Sequence, residues 1–140
     1  MRIRSVMVAA LALALALALA PLAAVAQSPQ GSLDCRFTGT DFVYDCKIRL
    51  TRSGAPLPGV DVNVGADMPS MPMAHNVKPV KAKPSAAPGE YDARLDLEML
   101  GEWAVKLRLG GPVRDQLILH YEFTEKGARP VTRSGKPLRK

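Results

Sequence analysis

Apolar and polar residues alternate with a period of two along five separate stretches, and this pattern leaves the chain little choice of fold. Phe42, Tyr44, Cys46, Ile48 and Leu50 stand against Asp45, Lys47 and Arg49, and Val60, Val62 and Val64 against Asp61 and Asn63. Tyr91, Ala93, Leu95 and Leu97 alternate with Asp92, Arg94, Asp96 and Glu98, and Trp103, Val105, Leu107 and Leu109 with Ala104, Lys106 and Arg108. Leu117, Leu119, Tyr121 and Phe123 close the series against Ile118, His120 and Glu122. Each stretch has one face to bury and one to solvate, as a half-buried antiparallel strand requires. Turn chemistry separates them: Ser53 to Gly59 with two prolines, Pro88-Gly89, Leu100-Gly101 and Gly110-Gly111-Pro112. No stretch sustains a helical period. With a hairpin before residue 42 and a short strand near Val77–Lys81, the count is six or seven strands. The expectation is an all-β chain, a small immunoglobulin-like antiparallel β-sandwich over residues 27–124.

The 140 residues do not all belong to that domain. Arg2 and Arg4 precede an unbroken apolar run over residues 6–20, Pro21 breaks it, and Ala24-Val25-Ala26 offers a small-x-small cleavage site. Residues 1–26 thus read as a secretory signal peptide cut before Gln27, the rival being an uncleaved anchor. No later segment approaches the ~20 apolar residues of a spanning helix, so no stable membrane insertion is expected after cleavage. Localisation is then periplasmic. The chain carries 19 basic and 13 acidic residues, and losing Arg2 and Arg4 leaves 17 against 13, a net +4. Residues 125–140 hold Lys126, Arg129, Arg133, Lys136, Arg139 and Lys140 against Glu125, the pattern of a disordered basic tail. Such a tail is more simply solvated than bound to anionic lipid or an acidic partner. Nucleic acid is not expected as a partner, since the chain is exported and lacks the aromatic interleaving of single-strand binders.

Export decides how Cys35 and Cys46 read. Thr38-Gly39-Thr40-Asp41 is a turn signal, and folding a hairpin about Thr40/Asp41 sets residues 35 and 46 opposite each other. In an oxidising compartment a disulfide is the default, worth roughly 3 kcal/mol for so short a loop. A thiolate metal pair or a redox couple is the alternative, although the spacing matches no zinc or redox motif.

One loop is not generic. Gly65 to Asn76 contains Met68, Met71, Met73 and His75 interrupted by Pro69 and Pro72. The prolines forbid a helix and point to extended or polyproline II backbone, which puts Met71, Met73 and His75 on one side, with Met68 in reach of Met71. Thioethers are soft ligands suited to Cu(I), and imidazole takes either copper oxidation state. Hard carboxylate ligands are thin, with only Asp67 adjacent, so calcium, magnesium and zinc fit poorly. The alternative is an adaptable methionine contact surface without metal. A variant has His75 binding Cu(II) together with the new amino terminus at Gln27.

From about Pro56 to Phe123 the chain resembles the FixH/YtkA-like periplasmic domains. The residues concerned are Val60 to Val64, Met-Pro-Ser-Met-Pro-Met-Ala-His at 68–75, Pro88-Gly89-Glu90-Tyr91 and Met99-Leu100-Gly101-Glu102-Trp103. The resemblance implies an immunoglobulin-like sandwich, no catalysis, and copper binding at Met68, Met71, Met73 and His75. The cysteine hairpin and the cleaved leader depart from the membrane-anchored FixH and favour a free carrier. Met99, in the Leu100-Gly101 turn, and His120 are additional candidate ligands; capping Trp103 and lying on the surface are their simpler roles.

No Gly-rich phosphate loop, Gly-x-Ser-x-Gly elbow or triad occurs, and Asp92, Asp96 and Glu98 read as solvating charge. The expected function is therefore a non-enzymatic periplasmic copper-binding protein, a Cu(I) carrier, chaperone or tolerance factor exchanging metal with a donor or acceptor protein. The alternative is a metal-free interaction module docking on a membrane or secreted partner through the Met-Pro loop.

Overall fold

The computed structural model describes residues 27–132. The expected signal peptide, residues 1–26, lies outside them. The described residues form ten strands, in the order β1 (Gln30–Phe37), β2 (Val43–Arg52), β3 (Ala55–Pro56), β4 (Asp61–Asp67), β5 (Asn76–Lys81), β6 (Lys83–Pro84), β7 (Glu90–Asp96), β8 (Gly101–Gly110), β9 (Asp115–Thr124) and β10 (Gly127–Pro130). All pairings are antiparallel. One sheet runs β1-β2-β7-β6 with β3 also on β2, and the other runs β10-β9-β8-β4-β5. The β-sandwich is thus as expected, with more strands than the six or seven the alternation reveals. β3 and β6 are two residues each, too short to show a period.

The alternating residues meet between the sheets. Tyr44, Ile48 and Leu50 of the first sheet and Val62, Val64, Trp103, Val105, Leu107 and Phe123 of the second are all buried. The aromatic residues also tie chain segments together. Tyr44 stacks edge-on to Phe123 at 5.0 Å and donates a hydrogen bond to the Thr124 carbonyl at 2.8 Å. Burial, with help from the Glu125 charge, raises its phenol above the ordinary value. The Tyr121 hydroxyl accepts the Leu33 N–H at 2.9 Å, and Tyr91 donates to the Leu57 carbonyl while accepting the Val60 N–H.

Two expectations are corrected. Phe42 was placed on the buried face of a strand, but Asp41 and Phe42 both have positive φ, 43° and 59°. With Val43 N–H bonded to the Thr40 carbonyl at 2.9 Å they form a type I′ turn, and the Phe42 ring stays outside, 38 % exposed. Residues 125–140 were expected to be a disordered tail, yet Gly127–Pro130 pairs with β9 and packs on β1. Arg129, assigned to solvated charge, binds Glu122 across that pair. A Cβ on Gly127 would lie 2.8 Å from the Cys35 carbonyl oxygen, so glycine is what allows this approach. Residues 133–140 lie outside the description.

Candidate functional site

Cys35 and Cys46 are paired across β1 and β2 and joined by a disulfide, as the hairpin geometry predicts. Both are buried and belong to the same core cluster as Leu33 and Ile48. No free cysteine is present, which leaves neither a thiolate metal pair nor a reactive thiol among the described residues. Such a bond is compatible with an oxidising, extracytoplasmic compartment.

The Met-Pro loop joins β4 to β5, and its backbone differs from the expected extended chain. Met71 N–H bonds to the Met68 carbonyl at 3.0 Å, and Ala74 and His75 N–H groups both bond to the Met71 carbonyl, at 3.1 and 3.2 Å. These are two consecutive turns, with Pro69 and Pro72 each at the second position, where a fixed φ near −65° is pre-set. A further bond from Met68 N–H to the His75 carbonyl, at 3.2 Å, closes the neck of the loop. The prolines therefore fold the loop over itself instead of stretching it. Strand alternation therefore does not set Met71, Met73 and His75 on one side.

The four predicted ligands consequently part company. Met68 points inward, is 5 % exposed and belongs to the hydrophobic core. Its Cε reaches to 3.2 Å from where a Cβ would stand on Gly101, whose φ is 131°. Met71 is 39 % exposed and Met73 97 % exposed, so both residues stand at the surface of the loop. His75, at the neck, contacts Glu98 through Nδ1, and Nε2 has no protein partner among the described residues. Glu98, which the sequence suggests only as solvating charge, thus fixes the imidazole. Sequence offers no sign of this, because the contact joins two loops more than twenty residues apart.

Met99 lies in the same β7–β8 loop as Glu98, at the same end of the sandwich as the Met-Pro loop. Its side chain packs on the core, and its carbonyl accepts the Trp103 indole N–H at 3.1 Å. His120 sits elsewhere. It pairs with Ala104 on β8, which pairs in turn with Asp67 at the end of β4. Two strand spacings, about 10 Å, separate it from the base of the loop. His120 Nδ1 is 3.4 Å from Glu102 but forms no hydrogen bond with good angles. The two are electrostatic neighbours. No group of three His, Cys, Asp or Glu side chains that could hold a metal occurs among the described residues. Phe42 joins this end of the molecule, since its carbonyl accepts the Leu97 N–H at 3.1 Å. Three exposed apolar side chains, Phe42, Met71 and Met73, thus share one end with the imidazole.

Fold and site together define a small β-sandwich presenting a methionine- and histidine-bearing loop at one end. The family model described as YtkA-like matches residues 39–108, half of the 140-residue chain. The chain belongs to the YtkA-like family. The match takes in the Met-Pro loop and the turn into Trp103, and leaves out Cys35, His120 and the β9–β10 hairpin. No curated protein and no solved structure matches the chain.

Proposed function

We propose that this protein is a non-enzymatic periplasmic carrier that binds Cu(I) through Met71, Met73 and Nε2 of His75 and passes it to an acceptor protein. The observation that carries the reading is the tip of the β4–β5 loop. Two methionine side chains are held out of the core there, in the same loop as a histidine whose Nδ1 is occupied by a carboxylate. Soft sulfur with one imidazole suits Cu(I), and a carboxylate on the remote ring nitrogen is the usual way a protein fixes a ligating imidazole. Met68, buried under the loop, anchors it and leaves the tip sulfurs free to act. Met99 serves the same end of the core by capping Trp103. A neutral donor set lacks the charge compensation that thiolates give a cation, which favours release to a stronger site. Cu(II) on His75 and the amino group of Gln27 is a weaker variant, detectable as nitrogen ligation in cupric spectra.

Cu(I) titration under reducing conditions against a chromophoric chelator tests the proposal. The wild-type chain should take up one equivalent, and Met71→Ala with Met73→Ala should abolish uptake while leaving the fold intact. Glu98→Gln should weaken binding on the order of tenfold by freeing the ring. Near-complete exposure of Met73 also suits a metal-free docking loop. Absence of uptake by the wild-type chain would decide for that reading.

A further inference from the structure

Few groups of this chain are open to an oxidant, and they are distributed unevenly. Both of its cysteines are joined in the Cys35–Cys46 bond, so no thiol is there to react first. Trp103 is fully buried. Among the described residues the thioethers remain, and the fold sorts them by access. Met68 is 5 % exposed in the core, Met99 is half-buried against it, Met71 is 39 % exposed and Met73 97 % exposed. The turn closed by the Ala74 N–H on the Met71 carbonyl puts Met73 at its third position, outside the packing that holds Met68.

Hydrogen peroxide oxidises a thioether by direct contact. The sulfur lone pair takes the terminal oxygen, the O–O bond breaks, and the hydroxide released takes the proton left on the new S–OH group and departs as water. Sulfur is oxidised by two electrons to the sulfoxide, and the peroxide is reduced. Access therefore sets the order of reaction. The product carries a polar oxygen that needs hydrogen-bond donors. At Met73 water supplies them. At Met68 there is little room, since its Cε already stands 3.2 Å from the Cβ position of Gly101, and a buried unpaired acceptor is costly. A sulfoxide at Met73 leaves the core alone and changes only the donor. Soft sulfur becomes an electron-poor centre bearing a hard oxygen, a poor match for Cu(I).

We propose that Met73 is a modification site, where peroxide forms methionine sulfoxide ahead of the other described residues and stops the loop from holding Cu(I) while the fold stays intact. The inference rests on the copper reading of the same loop. The exposure that offers Met73 to a metal ion is the exposure that opens it to peroxide. It also leaves the sulfoxide open to a methionine sulfoxide reductase, which returns the thioether as a dithiol is oxidised to its disulfide and water is released.

The test treats the whole mature chain, free of metal, with limiting hydrogen peroxide and locates the added oxygen by digestion and fragment mass spectrometry. The first oxygen should fall on Met73 and the second on Met71, with Met99 and Met68 last. The singly oxidised chain, cleared of peroxide with catalase, should keep the thermal midpoint of the untreated chain and lose its equivalent of Cu(I) to the chromophoric chelator. Methionine sulfoxide reductases with a dithiol, removed before titration, should restore uptake. First oxidation at another methionine, unchanged uptake by the Met73 sulfoxide, a lowered midpoint, or uptake that the reductases do not restore would each overturn the inference. An untreated chain that takes up no Cu(I) defeats the copper reading and the switch with it, whereas a wrong order of oxidation defeats the switch and leaves copper binding standing.

Discussion

The β1–β2 and β4–β5 hairpins turn at the same end of the sandwich, yet they are closed by different means. The first is locked from within. A type I′ turn at Asp41 and Phe42 reverses the chain, and the buried Cys35–Cys46 bond crosses the strands. The second has no covalent tie. Two proline turns fold its tip, one backbone bond closes its neck, Met68 reaches down into the core and His75 holds Glu98 from the neighbouring loop. Rigidity without exposed chemistry lies beside chemistry on a loop held by few contacts. The proposed carrier, which would have to give up its cargo, would have use for the second arrangement, and the first would keep the frame from following it.

Cutting the anchor of the second hairpin should give the largest effect. Met68→Ala removes a core side chain and should cost about 2–5 kcal/mol of folding stability, measured by chemical denaturation. If the comparison holds, Cu(I) stoichiometry at temperatures where the variant is folded stays at one, since Met71, Met73 and His75 remain. Loss of metal with stability unchanged would make Met68 a ligand and not an anchor.

The staple comes next. Replacing both cysteines, Cys35→Ser with Cys46→Ser, should cost roughly 3 kcal/mol, the loop-closure entropy of an 11-residue separation. Copper affinity of the folded variant should not change. A drop in affinity would show that the two hairpins are coupled through the shared end, with Phe42 as the nearest link.

The two hairpins were also unequally legible in the sequence. Cys35, Cys46 and the turn between them are local in the chain, so register alone set the bridge. The strands from Tyr44 to Phe123 were legible for the same reason, because a period of two needs only neighbours. The Met-Pro loop showed its chemistry but not its shape. A proline forbids a helix, but its fixed φ fits the second position of a turn as well as an extended chain, and backbone hydrogen bonds chose the turn. That choice sent Met68 to the core and Met73 to solvent. Glu98 was invisible as a partner of His75 since nothing in the β7–β8 loop marks which neighbouring loop it faces. The β10 strand was missed because Gly127–Pro130 has almost nothing apolar to declare; its place comes from β9 and the glycine that lets it approach β1.

The smallest effect expected separates the frame from the loop by pH. Asp45, on the stapled hairpin, receives two hydrogen bonds from the Arg94 guanidinium, at 2.7 and 3.0 Å, and that contact holds its carboxyl below the ordinary range. A carboxyl with a depressed folded-state pKa binds its proton more readily in the unfolded chain. Its contribution is therefore complete above the unfolded value, near 4, and is lost as pH falls through the lower folded value. Both groups are solvent-exposed, so the contribution is small. Thermal midpoints between pH 5 and 2 should fall less steeply for Asp45→Asn than for the wild-type chain. Copper uptake at neutral pH should be the same in both, because Asp45 lies on the outer face of the first sheet and the His75 ring is held by Glu98. Parallel midpoint curves would mean that the Arg94 contact confers no stability, leaving the disulfide and the I′ turn as what distinguishes the rigid hairpin.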